Sequence, residues 1–190
     1  MPAILKTIKL LRRVLKDENC RRMNRSTVIG FLGELLIKEK LEYEGCGNLE
    51  FLGNQSGYDL RNGNIKIDVK CSTLKNEIKK GFGKYWGWAL VTESKKRHIS
   101  CTHFICVALD DDYQVAAYYV ISSKDVTGFH SGVGQFGGVK HGFVVGNKIN
   151  LKVFPTDWRN YFKVSKKLIS AGKAIYVSKN GSLLRVLNKI

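Results

Sequence analysis

Two aspartates and a lysine lie at a spacing that suits phosphodiester chemistry. Asp59 follows Gly57-Tyr58, and Asp68 and Lys70 come nine and eleven positions after it. Two like-charged carboxylates held close together are costly unless a cation lies between them. Hard oxygen ligands of this kind suit Mg²⁺. These residues could therefore hold a divalent metal beside a phosphodiester.

The segment Ile65–Cys71 predicts how these side chains are oriented. Apolar and polar residues alternate along it: Ile65, Lys66, Ile67, Asp68, Val69, Lys70 and Cys71. This period of two is typical of a half-buried strand, so Asp68 and Lys70 are expected on one face. The turn-prone Asn-Gly-Asn at 62–64 favours a hairpin, which would fold Asp59 back toward Asp68.

Glu34 is the third carboxylate of interest. It is the only charged residue in the ten positions Val28–Ile37. A helix segment of this composition is buried almost all round, and an isolated buried carboxylate is costly without a partner. One interpretation is a rim carboxylate or a structural salt bridge. The other is a carboxylate that points into the metal site, with Gly30 and Gly33 small so that the helix packs close to the sheet.

These motif parts resemble the PD-(D/E)XK nuclease superfamily, which includes restriction endonucleases and Holliday-junction resolvases. The resemblance covers roughly residues 27–72 and rests on the order of three parts: Glu34 on a helix, Gly57-x-Asp59, and Asp68-x-Lys70 within an alternating strand. Tyr58 replaces the proline that precedes the first aspartate in the family motif. The resemblance implies an α/β (α+β) fold with a restriction-endonuclease-like core, in which helices flank a central mixed β-sheet.

The resemblance also implies a role for each residue. The implied Mg²⁺ ligands are Asp59, Asp68, the backbone carbonyl of Val69 and, directly or through water, Glu34. The metal would polarise the scissile phosphate and stabilise developing charge on its oxygens. Lys70 would position or help to deprotonate the attacking water, and Ser72 would contact a phosphate.

The charge distribution indicates a polyanionic partner. The chain has 190 residues and a formal net charge of +16, of which residues 1–26 carry +6 and residues 152–190 carry +8. The centre is therefore close to neutral and the two ends are basic, which favours double-stranded DNA lying across those ends. Anionic membranes, acidic partners and simple solubility are the alternatives.

A single domain over residues 1–190 is expected, with three parts. The first is a basic N-terminal region at 1–26 with a helix from Ile4 to Leu15; the second is a catalytic core at 27–125. Residues 126–190 would form a glycine-rich loop, around Gly128–Gly142, and then basic hairpins near 146–147 and 180–181. Ser26 is the expected N-cap of the core helix, which would run from Thr27 to about Leu41.

Further elements of the core follow from its apolar runs. The expected strands cover Asn48–Gly53, Gly57–Leu60, Asn64–Cys71, Trp88–Val91, Thr102–Leu109 and Val115–Ile121. The segment from Thr73 to about Lys80 could be a short helix or an ordered loop.

Other patterns exclude several classes of protein. No apolar run approaches the roughly 20 residues of a membrane span, and the N-terminus lacks a signal peptide. The five cysteines form no CxxC pair, which favours reduced thiols in a cytoplasmic protein. Gly132-x-Gly134-x-x-Gly137 matches a dinucleotide fingerprint, but no apolar strand leads into it, so a loop is the better interpretation.

The combined prediction is a Mg²⁺-dependent DNA endonuclease of the restriction type, which cuts one strand per subunit. Cleavage of both strands would need a homodimer or a larger DNA-recognition subunit. The size suits the small cleavage subunit of a heterodimeric type IIS restriction enzyme. A Holliday-junction resolvase and a non-catalytic DNA-binding module are the alternative hypotheses.

Overall fold

The computed structural model describes residues 2–17, 24–52, 57–75, 83–92, 100–127, 140–147 and 156–189. The helices in these ranges are α1 (Pro2–Lys16), α2 (Arg25–Tyr43), α3 (Ser123–Thr127), α4 (Thr156–Ser170) and α5 (Leu183–Leu187). The strands are β1 (Glu50–Phe51), β2 (Leu60–Asn62), β3 (Ile65–Thr73), β4 (Lys84–Thr92), β5 (His103–Leu109), β6 (Val115–Ser122), β7 (Lys140–Asn147) and β8 (Ala174–Ser178).

Six of the strands form one mixed sheet in the order β1-β2-β3-β5-β6-β8. Only the β3–β5 pair is parallel among these neighbours, and the other pairs are antiparallel. β4 and β7 pair separately as a two-stranded antiparallel ribbon. The structure thus confirms the expected α+β class with a central mixed sheet and flanking helices.

The two faces of β3 belong to two different cores. On the α2 face, Ile67 and Val69 pack in one cluster with α1 and α2 residues such as Leu32. The opposite face, which we call the ribbon face, carries Asp68 and Lys70 and is continuous with Phe104 and Cys106 of β5. This division is what the period of two along β3 predicts.

The β4–β7 ribbon covers part of the ribbon face. The rings of Trp88 and Phe143 lie 5.8 Å apart, and both are buried beside Phe104. Trp86 and Trp88 donate their indole N–H groups to backbone carbonyls of β5, at 2.7 and 3.2 Å. Because both indoles find an acceptor on β5, the ribbon is held to the sheet by hydrogen bonds as well as by apolar contact.

α1 uses part of the N-terminal charge to dock on the turn between β5 and β6. Arg12 Nε donates to the backbone oxygen of Tyr113 at 2.9 Å, and Lys16 Nζ lies 2.6 Å from Asp112 Oδ1. Arg25 donates to the Tyr113 hydroxyl at 2.5 Å. These three cations therefore have a structural use, whereas the sequence alone suggested a polyanionic partner for the whole basic end.

The predicted hairpin near 180–181 is wrong, and the residues that would follow the turn of the other predicted hairpin, near 146–147, lie outside the described residues (148–155). The described chain after β7 resumes as the helix α4, and β8 is followed by the short helix α5. In α4 the buried residues Tyr161, Phe162, Ser165 and Leu168 recur at helical spacing, which marks one apolar face of a helix. Ser182 caps α5 by accepting a hydrogen bond from the Arg185 N–H at 3.1 Å.

Three smaller expectations also change. Asn24 caps α2 through its side chain, in place of Ser26, which hydrogen-bonds to Asn24 Oδ1 at 2.5 Å. Lys75 forms a β-bridge with Tyr85, so the beginning of the segment 73–80 is extended, not helical. β7 begins at Lys140, inside the expected loop, and the remainder of that loop with its glycine motif (128–139) lies outside the described residues.

Two findings concern the wider class of protein. Within the described ranges, none of the helices combines the length and the apolar character that a bilayer crossing requires. The four cysteines in these ranges are free, and Cys101 and Cys106 are buried in the ribbon-face core.

The two glycines of α2 give a test of the helix–sheet contact. A Cβ on Gly33 would lie 2.6 Å from Cys71 Cβ, whereas a Cβ on Gly30 would meet nothing within 4 Å. We expect Gly33→Ala to destabilise the protein by about 1–3 kcal/mol through overpacking. Gly30→Ala should stabilise it by about 0.5–1 kcal/mol, because alanine loses less backbone entropy in a helix. Urea unfolding measures both changes, and equal effects of the two substitutions would contradict the packing described.

Candidate active site

The hairpin of β2 and β3 places Asp59 beside β3, as the sequence predicts. The backbone N–H of Asp59 donates to Ile67 O at 2.8 Å, and its carbonyl accepts from Leu52 N at 3.0 Å. The backbone N–H of Val69 then donates to Asp59 Oδ2 at 2.7 Å. The Asp59 carboxylate is therefore bound to the edge of β3, one residue beyond Asp68.

Gly57 shapes the entry to this position. Its φ angle is +72°, in the left-handed region that side chains disfavour. A Cβ at this residue would lie 2.5 Å from Ser100 Oγ. The glycine two positions before Asp59 is thus required by both the backbone conformation and the close approach of Ser100.

Asp68 and Lys70 form an ion pair on the ribbon face. Lys70 Nζ lies 2.6 Å from Asp68 Oδ1, and the Asp68 side chain is 15% exposed. Burial raises the pKa of Asp68 to about 6, although the nearby Lys70 ammonium opposes this shift. Apart from Lys70, the buried Oδ1 has no hydrogen-bond partner in the part of the chain that the structure describes.

Glu34 belongs to the same site. Burial raises the pKa of Glu34 to about 7; the charges of Asp59 and Asp68 add to the shift, and the Lys70 ammonium opposes it. Among the described residues, Glu34 has neither a hydrogen-bond nor an ion-pair partner. The interpretation of Glu34 as a structural salt bridge is therefore not supported, and its carboxylate lies near the other two acids.

Burial also raises the pKa of Asp59, against the opposing effects of the Val69 N–H and Lys70. Three carboxylates from distant parts of the chain are thus partly desolvated together, with one ammonium among them. Burial is the largest cause of each rise in pKa, and the charge of Asp59 adds to the rises of Glu34 and Asp68. Clusters of this kind are characteristic of functional sites.

The Val69 carbonyl faces the edge of β3 at which Asp59 lies. A strand residue directs its N–H and its C=O toward the same neighbour. Since the Val69 N–H points to Asp59, the carbonyl of the same residue points to that side as well. The described part of β2 pairs with β3 only as far as Ile67. The expected backbone ligand is therefore at the expected edge.

These donors suit a hard cation. Carboxylate and carbonyl oxygens are the ligands that Mg²⁺ prefers, and it commonly takes only one or two carboxylates from the protein. In the described ranges, no three His, Cys, Asp or Glu side chains are grouped closely enough to hold an ion by themselves. Asp59, Asp68 and the Val69 carbonyl would complete a set only with water or substrate oxygens, and the Lys70 ammonium would leave Asp68 Oδ1.

Two sequence predictions about neighbouring residues are wrong. Ser72 is 6% exposed; it donates to Thr73 O at 3.2 Å and accepts from Gly87 N at 3.4 Å. It therefore fastens β4 to β3, and a phosphate contact would require breaking these bonds. Gly33 makes the close contact expected of both α2 glycines, but Gly30 does not.

Sequence reasoning also missed part of the surroundings of the site. The charge of Asp68 acts on Cys101, whose pKa burial raises to about 12. No local pattern connects Cys101 with Asp68, because β5 brings them together only through its pairing with β3. Comparison with known proteins finds no family model and no curated protein that matches the chain.

The raised carboxylate pKa values predict a pH-dependent stability in the absence of metal. The folded protein holds the Glu34 proton up to about pH 7, whereas the ordinary pKa is 4.5. The preference of the folded state for this proton increases the free energy of unfolding. That increase is complete below about pH 4.5 and is lost as the pH rises through 7. Glutamine carries no charge at any of these pH values, so Glu34→Gln avoids this decrease in stability. At pH 8 we expect the variant to be about 1 kcal/mol more stable than the wild type, after allowance for solvent screening.

Thermal unfolding in EDTA at pH 4.5 and pH 8 measures this difference, which corresponds to roughly 2–4 °C at pH 8. At pH 4.5 the variant and the wild type should unfold together. Glu39→Gln, on another face of the same helix, is the matched control and should show no such pH-dependent gain. A Glu34→Gln variant that is less stable than the wild type at pH 8 would contradict the clustering of the acids.

Proposed function

We propose that this protein is a Mg²⁺-dependent DNA endonuclease that hydrolyses phosphodiester bonds, of the restriction-endonuclease type. The observation that carries the proposal is the convergence of Glu34, Asp59 and Asp68 beside Lys70, with Asp59 fixed to the edge of β3 by the Val69 N–H. Three partly buried acids that share a single ammonium are unfavourable for stability. Binding of a metal ion and a phosphate would explain why the protein has these acids despite their cost to stability.

Each residue has a role that follows from its position. Asp59, Asp68 and the Val69 carbonyl would hold Mg²⁺, with Glu34 bound to it directly or through water. Mg²⁺, when bound, supplies Lewis-acid polarisation of the scissile phosphate. Lys70, once released from Asp68, would position the attacking water and help to remove its proton. The ammonium has three N–H donors, so once it leaves Asp68 it can hold a water and a phosphate oxygen at the same time.

The distribution of exposed charge supports a polyanionic substrate. α4 carries exposed lysines on its outer side, namely Lys163, Lys166 and Lys167. α1 retains Lys6, Lys9 and Arg13 as exposed cations, in addition to the cations that dock it on the β5–β6 turn. α4 packs on the ribbon-face side of the sheet, which also carries Asp68 and Lys70, so its exposed lysines suit a long anion such as double-stranded DNA.

The proposal includes a second site for cleavage of both strands. One set of these residues would cut one strand, so duplex cleavage needs a second copy of this chain or a larger subunit. In the second case the larger subunit would recognise the DNA sequence, and this protein would be the small cleavage subunit of a heterodimeric type IIS restriction enzyme.

Two substitutions separate metal binding from chemistry. Asp68→Asn should weaken Mg²⁺ binding and lower cleavage by about 10²–10³-fold, because it removes a charged ligand. Lys70→Met should lower cleavage by about 10²–10⁴-fold but leave Mg²⁺ binding unchanged or tighter, because the competing ammonium is gone. Calorimetric titration measures Mg²⁺ binding, and nicking of plasmid and of four-way-junction DNA measures cleavage.

Asp111→Asn is the matched control, since this exposed aspartate lies in the β5–β6 turn beside Lys84. It should leave both readouts unchanged. Calorimetry on the chain alone tests the metal site even when cleavage requires a partner subunit. Cleavage that persists in EDTA, or full activity of Asp68→Asn, would rule out the proposed mechanism.

A further inference from the structure

Lys66 lies on the same face of β3 as Asp68 and Lys70, two residues before the first of them. Its ammonium is held over the ring of Tyr58, 5.2 Å from the ring centroid. Tyr58 packs against the ribbon-face core cluster, which contains Phe104, the β5 neighbour of Asp68. The ring thus fixes the Lys66 ammonium on the active face of the strand.

This lysine carries charge that its surroundings do not neutralise. Arg61 lies directly opposite Lys66 across the β2–β3 pair, where like charges are unfavourable. The Arg61 guanidinium is paired with Glu50 Oε2 at 2.7 Å and also hydrogen-bonds to Tyr58. Among the described residues, no carboxylate lies within ion-pairing distance of Lys66. Lys66 therefore presents an uncompensated cation beside the site.

Lys66 and Lys70 differ in what they can bind. The Lys70 ammonium lies on Asp68 Oδ1 at 2.6 Å and belongs to the carboxylate cluster. Among the described residues, the Lys66 ammonium contacts the face of the Tyr58 ring, which steadies an ammonium without satisfying its hydrogen-bond donors. A half-buried ammonium with free donors is a ready partner for an oxyanion.

The spacing along the strand indicates which oxyanion this is. Residues two apart on a strand are separated by roughly 7 Å and point to the same face. Neighbouring phosphates along a nucleic-acid strand lie at a comparable distance. A phosphate at Asp68 would therefore place the next phosphate of the same strand near Lys66.

We propose that Lys66, held by the ring of Tyr58, forms a second phosphate subsite that binds the phosphodiester next to the scissile one. The subsite rests on the proposed nuclease function and gives the substrate strand a fixed register against Asp68. It also gives a physical use to Tyr58 at the position where the family motif has proline, because proline offers no ring face to a cation.

The test compares Lys66→Met, which removes the charge and keeps the length, with Lys66→Arg, which keeps the charge. Binding of a duplex oligonucleotide is measured in EDTA over a series of salt concentrations, and plasmid nicking is measured with Mg²⁺. Lys66→Met should weaken binding roughly 3–10-fold and reduce the slope of log K against log salt by about 1. It should raise KM with kcat little changed, and Lys66→Arg should restore both readouts.

Variants of Tyr58 test the ring separately. Tyr58→Leu should weaken binding roughly 2–5-fold, since no ring holds the ammonium, whereas Tyr58→Phe should resemble the wild type. Lys179→Met is the matched control, because Lys179 is an exposed lysine that follows β8, at the opposite edge of the sheet.

The outcomes distinguish the subsite from the function on which it rests. A wild type that nicks DNA with Mg²⁺, together with an unchanged salt slope and KM in Lys66→Met, would overturn the subsite alone. A wild type that binds DNA but neither cuts it nor binds Mg²⁺ in calorimetry, with the slope reduced in Lys66→Met, would support the subsite and count against the nuclease function. Failure of the wild type to bind DNA at all would overturn the subsite, while Mg²⁺ binding by the chain would still support the nuclease function.

Discussion

The pairing register of β2 and β3 is the constraint on which the candidate site depends. Leu60 lies opposite Ile67, and both side chains are fully buried. A slip of one residue would exchange the two faces of β3 and bring Asp68 and Lys70 against α2. Charged side chains in an apolar core are costly, so the buried apolar residues of this short hairpin determine which face of β3 carries the candidate site. The same register brings the Asp59 carboxylate to the Val69 N–H.

α2 contributes both to the hydrophobic core and to the candidate site. Its apolar residues bury one face of the sheet, and the Gly33–Cys71 contact lets the helix backbone approach β3 closely. This approach brings Glu34, at the next position, near Asp59 and Asp68. The packing of α2 against β3 thus places Glu34 in the candidate site. The same packing partly buries its carboxylate, which raises its pKa. At neutral pH the ionised Glu34 carboxylate that a metal would bind therefore lowers the stability of the metal-free fold.

The basic residues of the chain divide into two groups. Arg12, Lys16 and Arg25 hold α1 to the turn between β5 and β6, and their charge serves the fold. Other cations remain exposed on α1 and α4, and Lys66 lies over the Tyr58 ring without an ion pair to any carboxylate in the described ranges. The count of basic residues does not distinguish these groups, because a lysine or arginine that is bound within the fold and one that is exposed each add one positive charge.

Local patterns in the sequence determined the central elements and the membership of the carboxylate cluster. The alternation of β3, the turn at 62–64 and the isolated charge of Glu34 are short-range signals, and the structure brings the predicted acids together. The sequence did not distinguish α4 from hairpins, because its basic residues obscured a helical apolar stripe that is completed only against β7 and β8. The hydrogen bond from the Gly87 N–H to Ser72, the proximity of Cys101 to Asp68 and the docking of the ribbon were decided by tertiary structure alone. Each of them joins residues that are distant in sequence, and the pairing of strands, not any local preference, sets which atoms meet.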